Sequence, residues 1–231
     1  MKEDLLAGKV LLVDKPYGWT SFDVVNKIKT VLRHEAGIKK IKIGHAGTLD
    51  PLATGLLIIC TGKATKAIDQ YQDQSKTYTG SFQLGQTTPS FDLETEPENR
   101  QPITHLTEED LHQAASQLTG SIDQLPPIYS AKKINGERAY SFARKGTHTD
   151  MKTKRVVIHA FDITGIDWPV VDFRVSCSKG TYIRSLANDF GELLGCGAYL
   201  RSLRRTHIGD FSVDDAWQIQ ELADHIRETA R

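Results

Sequence analysis

Between residues 44 and 57 the chain packs three glycines and one proline into fourteen positions, around a single carboxylate: Gly44-His45-Ala46-Gly47-Thr48-Leu49-Asp50-Pro51-Leu52-Ala53-Thr54-Gly55-Leu56-Leu57. Glycine and proline at this density suit neither a helix nor a regular strand. The stretch is therefore expected to be a loop of one fixed shape, with a buried strand only from Leu56-Leu57-Ile58-Ile59-Cys60. Asp50 precedes Pro51, which biases its backbone toward extended conformations. A rigid loop beside a core strand is a common way to present a catalytic acid. The alternative is a tight turn in which Asp50 bonds its own backbone.

The chain has 231 residues, enough for one large domain or two small ones. Its 25% charged and 39% hydrophobic residues are those of an ordinary globular protein, and no apolar run approaches the length of a membrane span. The start, Met1-Lys2-Glu3-Asp4-Leu5-Leu6, is too short and too acidic for a signal peptide. Cys60, Cys177 and Cys196 are odd in number and far apart, so they suggest neither a disulfide framework nor a zinc site. With no Asn-x-Ser/Thr acceptor either, a cytoplasmic location is expected.

Formal net charge is zero, but it is unevenly spread. Residues 1–80 hold 12 Lys and Arg against 8 Asp and Glu, residues 81–125 hold 1 against 8, and residues 126–160 hold 8 against 2. A polarised surface of this kind is the footprint of a polyanion partner, or merely a set of solvated faces.

Along the chain, Lys9-Val10-Leu11-Leu12-Val13-Asp14 reads as a strand. Thr20-Ser21-Phe22-Asp23 caps a helix running to about His34. Gly62-Lys63 lacks the upstream glycine and the following Ser or Thr of a phosphate loop, which excludes a nucleotide triphosphate site. A short helix passes through Ile68 and Tyr71, and residues 76–84 alternate as a strand. Thr107 caps a helix that Gly120 ends. Residues 126–146 combine a Pro-Pro entry, an Asn-Gly turn and interleaved aromatic and basic side chains, as in a protruding arm or a charged hairpin. Residues 155–166 and 173–177 read as paired strands. Thr181 caps the next helix, whose first turn places Arg184 against the helix dipole and so calls for an anionic partner. Residues 200–209 form a basic strand, and a last helix starts near Asp214. Strands outnumber helices without regular alternation, so the fold class is α+β with a mixed, mostly antiparallel sheet flanked by helices and loops.

Four motifs taken together resemble one family. They are His45-Ala46-Gly47-Thr48-Leu49-Asp50-Pro51; Asp14-Lys15-Pro16 with Gly18, Thr20 and Ser21; the arm from Pro126-Pro127 to Arg144; and Ser178-Lys179-Gly180-Thr181-Tyr182-Ile183-Arg184. The chain resembles the TruB family of tRNA pseudouridine synthases from about residue 9 to residue 211. The resemblance implies a pseudouridine synthase fold and isomerisation of the T-loop uridine at conventional tRNA position 55. In that reaction the N1–C1′ bond breaks, the base turns over and a C5–C1′ bond forms, with no cofactor, metal or ATP.

By this resemblance Asp50 is the nucleophile, attacking C1′ or the uracil ring, and must stay ionised while shielded from water. Arg184 matches the cation that pairs with it. Tyr78 matches the tyrosine that packs on the flipped base and is a candidate to take the C5 proton. Tyr182 and Leu203 match residues lining the uracil pocket, and His45 one that holds the base out of its loop. Lys15 and Lys66 match basic positions assigned either to structural support or to phosphate contacts. Lys132, Arg138 and Arg144 are the RNA contacts implied for the arm, an insertion at about 126–152 that is expected to be mobile without RNA.

The rest of the chain is expected to be a single catalytic domain, acting as a monomer on the T-arm of tRNA, with no membrane or metal partner. The small C-terminal PUA-type domain of many members is expected to be absent or nearly so, and Tyr199 stands where many carry His. Two rival readings are a tRNA-binding folding factor with little or no catalysis, and an Asp-dependent enzyme for a small molecule.

Overall fold

The computed structural model describes residues 2–127, 133–134, 137–138 and 152–230. In chain order the elements are α1 (Lys2–Ala7), β1 (Val10–Lys15), α2 (Ser21–His34), β2 (Ile43–Ala46), β3 (Ala53–Thr61), a 3₁₀ turn (Gly62–Ala67), α3 (Ile68–Asp73), β4 (Lys76–Leu84), α4 (Glu108–Gln117) and β5 (Gly120–Gln124). A small hairpin follows, β6 (Lys133–Ile134) with β7 (Glu137–Arg138), then β8 (Lys154–Asp167), β9 (Val170–Cys177), α5 (Ile183–Leu193) and β10 (Ala198–Ile208). The chain closes with β11 (Phe211–Ser212), a second 3₁₀ turn (Val213–Asp215), β12 (Trp217–Gln218) and α6 (Ile219–Ala230). By internal packing it divides into two compact units, Met1–Tyr78 with Leu203–Arg231, and Thr79–Ser202.

In the first unit β3 is the central strand. It pairs antiparallel with β1 and β2 and parallel with β10, and β1 takes β12 on its other side, in parallel. The run Leu56 to Cys60 is continuously apolar because both faces of β3 are covered. Leu57 and Ile59 join Leu11, Val13 and the inner faces of α2 and α6 in one cluster, while Leu56, Ile58 and Cys60 join Ile208 and Val213 in another. Helix α2 supplies Val24, Val25, Ile28, Val31 and Leu32 at helical spacing. Its start is a capping box: the Thr20 hydroxyl accepts from Asp23 N, and the Asp23 carboxylate accepts from Thr20 N.

In the second unit the sheet order is β4-β9-β8-β5. Phe82 stacks on Phe173 with ring centroids 4.2 Å apart and meets Phe161 and Phe190 at 6.1 and 5.5 Å, forming an aromatic centre. Helix α4, which carries its own Thr107–Asp110 capping box, packs Leu111, Ala114 and Ala115 inward. Cys60 in the first unit and Cys196 in the second are fully buried. Among the described residues no helix is long and apolar enough to cross a membrane.

The mixed, mostly antiparallel α+β class is as expected, but several boundaries move. The glycine-rich stretch is not one loop: β2 and β3 reach into it from both sides and leave only residues 47–52 outside the ladder. Gly44 and Gly55 are strand residues, spaced for close approach rather than for turning. Gly120 begins β5, the cap of α4 being Leu118. The final helix begins at Ile219, because Val213–Asp215 and Trp217–Gln218 first form a 3₁₀ turn and a strand on β1. Helix α1 has no counterpart in the expectations.

Candidate active site

Asp50 lies at the centre of the short loop 47–52, half-exposed. The carbonyls on either side of it are held from elsewhere in the first unit. The Gly47 oxygen accepts from Arg205 Nη2 at 3.0 Å. At Leu49, Ser21 Oγ accepts from N at 2.9 Å and donates to O at 3.2 Å. The Pro51 oxygen accepts from Gly18 N at 2.9 Å and from Lys15 Nζ at 3.3 Å. Asp50's own carbonyl accepts from Ala53 N. Ser21 is the first residue of α2, so the capping box that starts this helix also sets the height of the loop.

The two clamping cations share a row. Lys15 on β1 is in register with Gly55 on β3, and Gly55 with Arg205 on β10. Residues in register on neighbouring strands project to the same face, here the face covered by α2. Lys15 is 0% exposed and Arg205 1%. All three ammonium protons of Lys15 have acceptors, the carbonyls of Pro16, Trp19 and Pro51. Gly55, at φ +105°, sits between them, and a Cβ there would run into the Arg205 backbone. On the opposite face of the same strands Asp14 accepts both Arg204 Nη atoms, at 3.0 and 2.7 Å, and Gln218 Nε2 at 3.0 Å. The consecutive pairs Asp14-Lys15 and Arg204-Arg205 thus split between the two faces, one salt bridge fastening β12 and one pair of buried cations beneath the loop.

These cations shape the local electrostatics. Burial pushes the Lys15 ammonium down to about 8; Asp50 works against this fall and Arg205 adds to it. His45, on β2 just before the loop, is driven below the ordinary imidazole value by burial and then by Arg205, so it is neutral near pH 7. Among the described residues its Nδ1 has no hydrogen-bond partner. Leu203 is in register with Ala53, where the loop rejoins β3, and its carbonyl accepts from Thr54. Tyr78 is buried near the start of β4, one residue after Thr77, whose carbonyl accepts from Thr206. His45, Asp50, Tyr78, Leu203 and Lys15 all belong to the first unit. Of the two roles expected for Lys15, its geometry is that of support. Lys66 is exposed on the first 3₁₀ turn and lines a separate cavity with Lys40, Lys42 and Lys63.

The second unit holds Arg184 and Tyr182. Arg184 is 3% exposed in the first turn of α5, and within its own unit the anion beside it is Asp92, which the sequence did not single out, with Nε 3.6 Å from Oδ2. Its Nη1 also donates to Ser90 O at 3.2 Å. Asp92 is presented by a tight turn in which Phe91 takes φ +63° and the buried Ser90 hydroxyl donates to Asp92 O at 3.1 Å. A left-handed phenylalanine is strained, by order of 1 kcal/mol or more, and persists only where its surroundings dictate it.

The N-cap of α5 is Tyr182, not Thr181, whose hydroxyl is turned back to Ser178 O. Tyr182 brings no side-chain cap. Instead the Gln124 amide bridges its backbone, accepting from N at 2.7 Å and donating to O at 3.0 Å. Ser185 Oγ donates to Leu125 O, so the root of the basic arm is pinned to the start of α5. Lys132 and Arg144 lie outside the described residues, as does the expected mobility of the arm. Arg138 is described in its backbone only, paired with Lys133 across the hairpin. Ser21 belongs to a motif already noted, whereas Asp92, Gln124 and Arg205 stand in none. Among the described residues no group of three or more His, Cys, Asp or Glu could hold a metal ion.

The family model for the TruB family pseudouridylate synthase N-terminal domain matches residues 33–183, and that for the tRNA pseudouridylate synthase B C-terminal domain matches residues 184–231. The tRNA pseudouridine synthase B of Flavobacterium johnsoniae is 55% identical, over 94% of this chain and 95% of that protein. The protein of the same name from Parabacteroides distasonis is 48% identical, over 97% and 96%. Among solved structures, one chain of a Cbf5–Nop10–Gar1 complex aligns with a TM-score of 0.74 at 28% identity, over 99% of this chain and 60% of its own. A chain of an H/ACA RNP bound to a substrate RNA containing 2′-deoxyuridine aligns at 0.69 and 28%, over 95% and 53%. This chain therefore spans little more than half the length of those two.

Proposed function

Because this chain belongs to the TruB family of pseudouridylate synthases, we propose that it isomerises the T-loop uridine of tRNA, at conventional position 55, with Asp50 as nucleophile. The observation that carries the reading is the loop 47–52, in which the backbone on both sides of one carboxylate is fixed by Arg205, Ser21 and Lys15. A nucleophile that must meet one carbon of a flipped nucleotide benefits from such positioning.

The target base leaves its stack at a cost of about a few kcal/mol. Tyr78 packs on it, a contact worth roughly 1–3 kcal/mol. Leu203 and Tyr182 line the uracil pocket, and neutral His45 holds the base out of the loop. Asp50 attacks C1′ or the ring, and N1–C1′ cleaves. The uracil turns over, C5 bonds to C1′ and the Asp50 carboxylate is released from its adduct; C5 then loses its proton to Tyr78, while N1 gains one. Atoms and charge balance without an external reagent, so the reaction is assigned no cofactor and no metal.

Arg184 is the cation of the reaction by its match to the family motif; its burial with Asp92 supports a fixed guanidinium. Lys132, Arg138 and Arg144 of the arm and Lys66 contact RNA phosphates. The protein works as a monomer on the T-arm in the cytoplasm.

The test uses tRNA tritiated at uridine C5. The parent protein releases tritium, and an Asp50→Ala variant binds the RNA but releases none. Equal release by both overturns Asp50 as nucleophile. Binding without release by either leaves a tRNA folding factor as the better reading.

A further inference from the structure

One cavity of the first unit, about 260 Å³ in volume, is lined by Lys40, Lys42, Lys63 and Lys66 around Gly62, and no carboxylate lines it. Local structure makes the four side chains converge. Ile41 turns inward against the α2 cluster, which leaves Lys40 and Lys42 on either side of it exposed. Lys63 and Lys66 lie three apart on the 3₁₀ turn, and residues so spaced eclipse one another. The two segments are fastened where Gly62 N donates to Lys42 O at 2.8 Å and Thr65 Oγ1 to Gly62 O at 2.8 Å.

Like charges brought together are destabilising. The chain as a whole carries equal numbers of acidic and basic residues, 29 of each. Yet among the described residues none of these four lysines has an ion-pair partner. A carboxylate-free cavity ringed by ammonium groups is an anion site waiting for its anion. The position suits RNA. Strand β2 starts beside Lys42 and ends at the loop that carries Asp50, a span of four residues or roughly 13 Å at strand rise. A nucleic acid with one nucleotide at Asp50 keeps its backbone within reach of the cavity.

We infer that Lys40, Lys42 and Lys63, together with Lys66, form a phosphate cradle that grips the sugar–phosphate backbone of the substrate RNA away from the reacting uridine. The inference rests on the proposed action on tRNA. Such contacts set register and affinity and carry no sequence information.

The experiment is the salt dependence of tRNA binding, from about 50 to 200 mM, for the parent, for Lys40→Gln/Lys42→Gln/Lys63→Gln, and for Lys9→Gln/Lys27→Gln/Lys29→Gln as a control of equal charge change. Each lost phosphate contact flattens the log–log slope by about 0.7–0.9. The cradle variant is expected to lose about 2 from the slope, and the control to keep that of the parent. Equal slopes for parent and cradle variant, or an equal loss in the control, overturn the cradle. If the parent still releases tritium in that case, the proposed activity stands without it. A parent that neither binds nor turns over tRNA overturns both.

Discussion

Gly55 illustrates how a single residue type can be dictated from two sides. It lies in register between two buried cations, at φ +105°, with the Arg205 backbone where a side chain would begin. Gly55→Ala is expected to lower stability in urea unfolding by at least about 3 kcal/mol, backbone strain and displacement of β10 adding together; a loss under about 1 kcal/mol would contradict this. Lys15 offers a pH signature. Its folded pKa of about 8 lies below its ordinary value of 10.5. The cost of burying the charge is therefore present in full below about pH 8 and fades between pH 8 and 10.5. Activity runs the other way, because a neutral amine has one proton fewer for three carbonyls. Turnover should fall through an apparent pKa near 8, and Lys15→Arg should move that limb upward; an unmoved limb would exclude Lys15 as its source. At this scale the sequence was partly legible. Asp50, His45 and Arg184 stand in recognisable motifs. Arg205, Asp92 and Gln124 do not, because they act on partners 158, 92 and 58 positions away, and no local pattern encodes such pairings.

Elements were most readable where local chemistry closes on itself. Thr20–Asp23 and Thr107–Asp110 are complete capping boxes, and both helices begin where those pairs indicate. Thr20→Ala and Thr107→Ala should each cost about 1 kcal/mol in denaturant unfolding, and Thr20→Ala should also lower turnover, since α2 carries Ser21 to the loop. Elements that depend on a distant neighbour were misjudged. Strands β2 and β3 run into glycines because pairing outweighs propensity, and β12 exists only by lying on β1. Helix α5 contains an acid in an unfavourable place: burial, then Glu192, raises the Asp189 carboxyl to about 6. Its folded pKa exceeds the unfolded value, so it is destabilising above that window and neutral below about pH 4. Asp189→Asn should therefore raise stability by about 1 kcal/mol at pH 7 and by nothing near pH 4; the same gain at both pH values would point to packing instead.

For the whole molecule, a net charge of zero conceals the arrangement that matters. Basic residues gather in the cradle and arm, acidic ones between residues 81 and 125. This division was visible as a charge pattern in the sequence, whereas its concentration around one cavity needed the 3₁₀ turn and the strand approach to be known. The two compact units each possess a core of their own, aliphatic in the first and centred on Phe82, Phe161, Phe173 and Phe190 in the second. Each core also encloses a thiol, Cys60 in one and Cys196 in the other, both 0% exposed and both with pKa values raised by burial. A sulfur in that state is invisible to a water-soluble disulfide reagent until the surrounding structure opens. The second unit also buries Cys177, 1% exposed, so the described residues hold one buried thiol in the first unit and two in the second. The rates at which Cys60 and Cys196 become labelled, separated by peptide mass, would time the breathing of each core without a single engineered probe.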